Sequence, residues 1–465
     1  MLRTNFCIGL TIILLGLLLA GCGPSPEEPS ATTATPTITT ATSIPIPTIP
    51  TPTSAPEIDD TDIKYYEIRE NKYTPIRYGL WWNDAALIDF NSDGALDLLV
   101  IHVDVDTWEP TPLRILMNDG RGNFSDVTRQ MFPEQEIYSI GTNYILIADF
   151  NGDGRDDAYF VDQGQDREPW GGNRNTMLIQ TADGRLEDET NQRIPNVNNF
   201  THDAAAADID GDGDVDIFNC NVYGGESGAT IYINDGQGYF SDEAFRLPAS
   251  LVTLDKKFTS SEFIDIDNDG DMDLALGSHG GSLPSEKAVR DTILINDGIG
   301  NFVFSDEEVL PERYGGATWG VNEMEVGDVD GDGFPDLIMS VHNSYQTFFL
   351  QLLLNNHNGT FRDATDLLPQ DQLQAVFRIE LADLNGDEKL DILVADDRQF
   401  KLYINAGEAG FIDATHILTI DRTDLRPILP GDLDNDGDID LLILTLESHY
   451  YVALSNKPYE IDDNN

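Results

Sequence analysis

Cysteine is nearly absent from this 465-residue chain: only Cys7, Cys22 and Cys220 occur. Too few remain past the leader for an intrachain disulfide framework, so something else must rigidify the fold. Basic residues are scarce as well, 27 Lys and Arg against 83 Asp and Glu, for a formal net charge of −56. That balance argues against nucleic acid, whose phosphates demand Lys and Arg. No apolar run reaches the ~20 residues of a membrane span. The chain also lacks a G-x-S-x-G elbow, a zinc-protease helix and a phosphate loop. What it has is 40 % hydrophobic residues in short regular runs, which speaks against wholesale disorder. Its length leaves room for a large core.

The first residues read as a leader. Arg3 precedes an apolar run from Ile8 to Ala20, the length of a signal-peptide core. The run ends Leu19-Ala20-Gly21-Cys22, which resembles the lipobox of bacterial lipoproteins. The resemblance implies cleavage after residue 21 and lipidation of Cys22, hence a membrane-anchored, extracytoplasmic protein at the cell surface or in the periplasm. Residues 22–60 are dominated by Pro, Thr, Ser, Ala and Ile, as in TATPTITTATSIPIPTIPTPTSAP. Such a composition buries no core and favours an extended tether, with a reach of roughly 100 Å at about 3.1 Å per residue.

From residue 61 to 465 one acidic string recurs seven times, beginning at Asp89, Asp149, Asp208, Asp265, Asp328, Asp383 and Asp432. Each copy lies between two short apolar runs, such as AALI before Asp89 and LLV after Asp97, which read as strands A and B of a hairpin. A second signature follows, clearest in LRILMNDGRGNFSDVT, ATIYINDGQGYFSDEA and DTILINDGIGNFVFSD. There Asn-Asp-Gly marks a turn between strands C and D, Asn and Gly both tolerating positive φ. Four strands per unit, repeated in tandem, predict an all-β, seven-bladed β-propeller of antiparallel blades. The last unit lacks chain for strand D. Ile63–Arg69 is expected to supply it and close the ring, with Tyr459–Ile461 as the alternative.

Each acidic string places oxygen side chains at positions 1, 3, 5 and 9. These are Asp89, Asn91, Asp93 and Asp97; Asp149, Asn151, Asp153 and Asp157; and Asp208, Asp210, Asp212 and Asp216. The fourth and fifth copies give Asp265, Asp267, Asp269 and Asp273, then Asp328, Asp330, Asp332 and Asp336. The last two give Asp383, Asn385, Asp387 and Asp391, then Asp432, Asp434, Asp436 and Asp440. The alternation is similar to the first nine positions of an EF-hand loop, without its flanking helices or its bidentate Glu at position 12. A strand-flanked Ca²⁺ loop fits, with up to seven ions per chain. Mg²⁺ demands stricter octahedral geometry, and soft metals want Cys and His. Without a cation, carboxylates this close raise one another's pKa. The sixth copy departs from the pattern, with Glu388 in place of Gly at position 6 and Lys389 following it.

Together D-x-[DN]-x-D-G-x-x-D-[LI] and LLxNDGxGxF resemble the FG-GAP/VCBS repeats of integrin α-subunit propellers and many secreted bacterial proteins. The resemblance covers the chain from about residue 61 onward. It implies a seven-bladed propeller whose acidic loops bind calcium through those Asp and Asn residues. Family members include adhesion modules, lectins and polysaccharide-active proteins, so the fold alone does not choose a function.

Strand connectivity sets the A–B and C–D loops at one end of the ring and the longer B–C and D–A loops at the other. The long loops carry Trp108, Trp170, Tyr223, His279 and the stretch Tyr314 to Trp319. Trp81 and Trp82 precede the first A strand, and Asn83, Asn143, His202, Asn322, Arg378 and Arg426 fall at the A-strand mouths. Such a rim suits a glycan or an extracellular protein ligand, although loop aromatics also serve to cap the edges between blades. The leading expectation is therefore a tethered binding or adhesion protein. The alternative is a polysaccharide-active, lyase-like enzyme using Arg378, Arg426, His202 and Asp203 to neutralise and deprotonate a uronate.

Overall fold

The computed structural model describes residues 65–456, except 73–81, 105, 134–135, 224–227, 254–257, 281–288, 307–308, 317, 397–399, 419, 421–424 and 446–448. The leader, Cys22, the tether and Trp81 lie outside the described residues, as do the side chains of Trp82, Asn83, Tyr223 and Arg426.

The described residues form seven four-stranded antiparallel sheets, the blades of a β-propeller. In the first blade strands A to D are Trp82–Ile88, Asp97–Val103, Arg114–Asn118 and Phe124–Asp126. The later A strands are Thr142–Ala148, Phe200–Ala207, Phe258–Ile264, Gly320–Gly327, Val376–Ala382 and Leu425–Gly431. Each touches the next around the axis, and the last touches the first.

Because sheets stack face to face, a B strand is buried on both faces and reads as an unbroken apolar run. Leu98 and Val100 pack toward the seventh blade, whereas Leu99 and Ile101 pack toward the second. The described core divides into seven clusters, each shared by two adjacent blades. Cys220 belongs to one of them, buried with its thiol on the Phe258 carbonyl.

Ring closure follows the first expectation. Tyr65–Lys72 pairs antiparallel with His449–Asn456, Tyr65 opposite Asn456 and Lys72 opposite His449, and becomes the outer strand of the seventh blade. Ile68 packs into the core shared by the sixth and seventh blades.

The Asn of the second signature does a different job from the one its turn context suggested. Positive φ falls on the glycines, Gly120 and Gly122 in the first copy, while Asn118 ends strand C. Its amide nitrogen donates across the blade boundary to the Leu433 carbonyl at 2.9 Å, and its oxygen accepts from the N–H groups of Gly120 and Gly122. Asn234, Asn296, Asn355 and Asn405 reach back in the same way to Phe150, Ile209, Ile266 and Val329. Gln180 does so to Phe90. At the seventh blade the position is Ser455, whose buried hydroxyl has no partner. Its side chain is too short to cross, so that boundary lacks the bond.

Candidate metal loops and axial channel

Every acidic loop is folded by its own carboxylates. The position-1 Asp accepts the N–H of position 6 in all seven loops, at 2.7 to 3.0 Å. Glycine supplies the positive φ needed at position 6 in six loops, and Glu388 adopts it at 65° in the other. The position-9 Asp accepts from strand C, as in Asn118 N–H to Asp97 at 2.7 Å, and so ties the hairpin to its neighbour strand. In six loops its second oxygen also accepts from position 2. Burial pushes the position-9 carboxyls up, to about 7 for Asp97, Asp157, Asp216, Asp273, Asp336 and Asp391 and about 6 for Asp440.

Three carboxylates converge within 4.8 Å in four loops: Asp208, Asp210 and Asp216; Asp265, Asp267 and Asp269; Asp328, Asp330 and Asp332; and Asp432, Asp434 and Asp440. Oδ1 of Asp210 and Oδ1 of Asp434 are buried without a hydrogen-bond partner, as donor atoms awaiting a cation would be. This oxygen-only donor set fits a hard divalent ion. The other three loops are those with Asn at position 3: Asn91, Asn151 and Asn385. In two of them a basic side chain already sits on the position-5 carboxylate, Arg155 on Asp153 and Lys389 on Asp387. The charge that marked the sixth copy as unusual thus acts directly on a candidate ligand.

At the opposite end, several residues expected to face a ligand brace the ring instead. Asn143 donates to the His202 carbonyl, His202 Nδ1 contacts the Thr259 carbonyl, Thr259 donates to Val321, and Asn322 donates to Val376. Each bond joins one A strand to the next, and Thr259 is the member that sequence reading missed. Burial pulls the His202 imidazole down to about 4, so it is neutral at physiological pH. Trp319 stacks on Phe349 with ring centroids 6.0 Å apart and meets Tyr314 edge-on, the capping role open to loop aromatics. His279 and His342, from adjacent blades, both pack against the Tyr345 ring.

Arg378 is not a free anion receptor. Its Nη1 is 3.0 Å from Asp84, its Nε is bonded to Glu380, and its guanidinium lies over the Tyr144 ring at 5.0 Å. Asp203, a member of the cluster expected for uronate chemistry, accepts from both the N–H and the hydroxyl of Ser261. Around them the A strands bring together carboxylates absent from the expected site: Glu262, Glu323, Glu325 and Glu380. These side chains are half-buried among neighbouring strands, so their charged forms are poorly solvated. Burial, then mutual repulsion, raises Glu262, Glu323 and Glu325, and burial lifts Asp203 to about 7 and Asp84 to about 6. One step closer to the Asp loops, half-buried Leu87, Ile147, Phe263, Val326 and Leu381 pack against the inter-blade cores.

No curated protein matches the chain in sequence. Among solved structures it is similar to a lectin of Agrocybe aegerita described for specific recognition of non-reducing terminal N-acetylglucosamine. That match has 16 % identity and a TM-score of 0.46, over 79 % of this chain and 86 % of the lectin. It is also similar to BBS1N, solved in complex with ARL6DN, at 8 % identity and a TM-score of 0.44, over 85 % of this chain and 97 % of that one. The family model of the FG-GAP-like repeat matches residues 89–160, 167–219, 265–339, 328–394 and 383–443. These segments cover more than half of the sequence, and the chain belongs to the FG-GAP-like repeat family.

Proposed function

We propose that the protein is a surface-tethered, calcium-stabilised binding module that takes a glycan or a partner protein on the ring face opposite the Asp loops. One observation carries this reading: all seven acidic loops and their inter-blade bonds gather at one end of the ring, built into its scaffold. The blades are alike there and differ at the other end, where ligand choice has room to reside. Calcium supplies cross-linking in place of disulfides. The loops headed by Asp208, Asp265, Asp328 and Asp432 are the strongest sites, and those with Asn91, Asn151 and Asn385 the weaker ones. Lipidation of Cys22 would hold the module at the membrane, with residues 23–60 as the spacer. The engagement of Arg378 by two carboxylates favours binding over uronate lyase chemistry.

Two measurements test the reading. Metal analysis before and after chelation should find at least about four Ca²⁺ per chain, with loss of thermal stability on removal; fewer ions, or no loss, would sink the calcium claim. A glycan array and a cell-surface binding assay, run in millimolar Ca²⁺ beside a uronate-lyase absorbance assay, test the function. Unsaturated product formed by the wild type would reverse the choice between binder and enzyme.

A further inference from the structure

We infer that the second and sixth acidic loops take no metal ion, because in each a side-chain cation, Arg155 or Lys389, stands in its place. The inference rests on the calcium reading above and narrows it to the other loops.

Two substitutions occur together. Position 7 of the seven loops reads Ala95, Arg155, Asp214, Asp271, Phe334, Lys389 and Asp438. Both loops with a base there have Asn at position 3, as Asn151 and Asn385. The three loops with Asp at position 7 keep Asp at position 3, as Asp210, Asp267 and Asp434. A carboxylate is thus lost and a positive charge gained in the same two loops. Positions 1 to 9 carry five Asp and no base in the third, fourth and seventh loops, against four acids and one base in the second and sixth.

The added charge closes the loop on itself. Arg155 is bonded to Oδ2 of Asp153, and Lys389 Nζ lies 2.7 Å from Oδ2 of Asp387. The other oxygen of each carboxylate accepts the backbone N–H of the same basic residue, at 3.1 Å in both loops. One residue therefore engages both oxygens at position 5. In the third and fourth loops the equivalent Asp212 and Asp269 accept the position-7 N–H through Oδ1 alone among the described residues. Arg155 also reaches the Gln180 carbonyl of strand C at 3.4 Å, so its guanidinium links the loop to the sheet. Its hydrogen bond to Asp387, with the charges of Asp391 and Asp383, pushes the Lys389 ammonium up.

Convergence follows the same division. Three carboxylates approach within 4.8 Å in the third, fourth, fifth and seventh loops, and in neither of these two. An ion entering the second or sixth loop would find one carboxylate fewer and a base at the position whose carbonyl is a ligand in the EF-hand. Calcium affinity follows ligand charge. A positive charge about 4 Å from a divalent ion costs more than ~10-fold in affinity even in bulk water. The third to fifth blades thus form a metal-dependent run, bracketed by two loops that neutralise themselves.

The test is the number of ions bound by the whole mature chain in millimolar Ca²⁺, from equilibrium dialysis and elemental analysis. Asp153→Asn and Asp387→Asn should leave that number unchanged, whereas Asp212→Asn should lower it by one. All three Asp are exposed, so these changes leave the core intact. Conversely, Asn151→Asp/Arg155→Asp and Asn385→Asp/Lys389→Asp restore the third loop's acids at positions 1, 3, 5, 7 and 9, and each should add one ion. Loss of an ion in Asp153→Asn or Asp387→Asn, or no added ion in the double variants, would overturn the inference. The calcium reading survives those outcomes as long as Asp212→Asn loses its ion. A wild type without ions, or an unchanged count in Asp212→Asn, would sink that reading and the inference with it.

Discussion

Removal of one inter-blade amide, in Asn234→Ala, should weaken the ring far more than a surface change. Asn234 is 4 % exposed. Its Nδ2 donates to the Phe150 carbonyl of the preceding blade at 2.7 Å and to Val215 at 3.0 Å. Its Oδ1 accepts from Gly236 at 3.1 Å and Gly238 at 3.0 Å. Alanine cancels four bonds and strands their backbone partners; at a net ~0.5–1.5 kcal/mol each, the loss is about 2–6 kcal/mol. Asn234→Asp separates the two halves of the interaction, because it keeps an acceptor for the glycines and turns an oxygen toward two carbonyls. A protonated Asp can still donate one bond, so this variant should be better tolerated at pH 5 than at pH 8. Urea and thermal unfolding in saturating Ca²⁺ give the comparison. A loss below about 0.5 kcal/mol for Asn234→Ala, the range of ordinary surface substitutions, would refute the cross-boundary role.

The converse change, Ser455→Asn, should gain about 0.5–1.5 kcal/mol by supplying the amide missing at the sixth–seventh blade boundary; an unchanged or lowered unfolding midpoint would count against it. Deletion of residues 65–72 opens the ring at its closing strand and should lower the melting temperature more than Asn234→Ala does. In chelator, stability should fall as pH rises from about 4 to 7. The position-9 carboxyls sit near 7 in the fold against 3.8 for an unperturbed Asp, so the folded state holds the extra protons and loses their stabilisation through that window. Saturating Ca²⁺ replaces those protons and should flatten the trend, as melting curves across pH will show. Arg378→Met leaves Asp84 and Glu380 without their cation and should cost about 3–5 kcal/mol at pH 8. The cost should be smaller at pH 5, where Asp84, raised to about 6, takes up a proton.

The scaffold was legible because its constraints repeat. Seven copies of the acidic string located seven hairpins, and apolar runs such as DLLVIHV marked strands buried on both faces. The shortage of chain in the last unit pointed to closure by the N-terminal strand, which the pairing of Tyr65 with Asn456 realises. What local pattern hid was the partner of each polar side chain. Asn118 looked like a turn former because its neighbours are Asp119 and Gly120, yet its main partner is Leu433, 315 residues away. Asn143, His202 and Asn322 looked like a ligand rim because they are polar and near a mouth, but the carbonyls they meet belong to the next blade. Only the closed ring brings those groups together.

The acids on the innermost strands were missed for a related reason. Three residues before the first Asp of each loop, three blades carry Glu262, Glu325 and Glu380, and the other four carry Ala86, Leu146, Ala205 and Leu429. A search for recurrence treats those acids as noise in an apolar strand. In the ring they fall on three consecutive blades, so departures from the repeat become neighbours and their charges act on one another. The recurrent carboxylates are present in every blade and can only serve the ring as a whole. The asymmetry is an acidic arc on the fourth to sixth blades, whereas the second, third and seventh carry Leu146, Ala205 and Leu429 at the same position. Those departures, rather than the recurrent Asp loops, are what distinguish one sector of the ring from another.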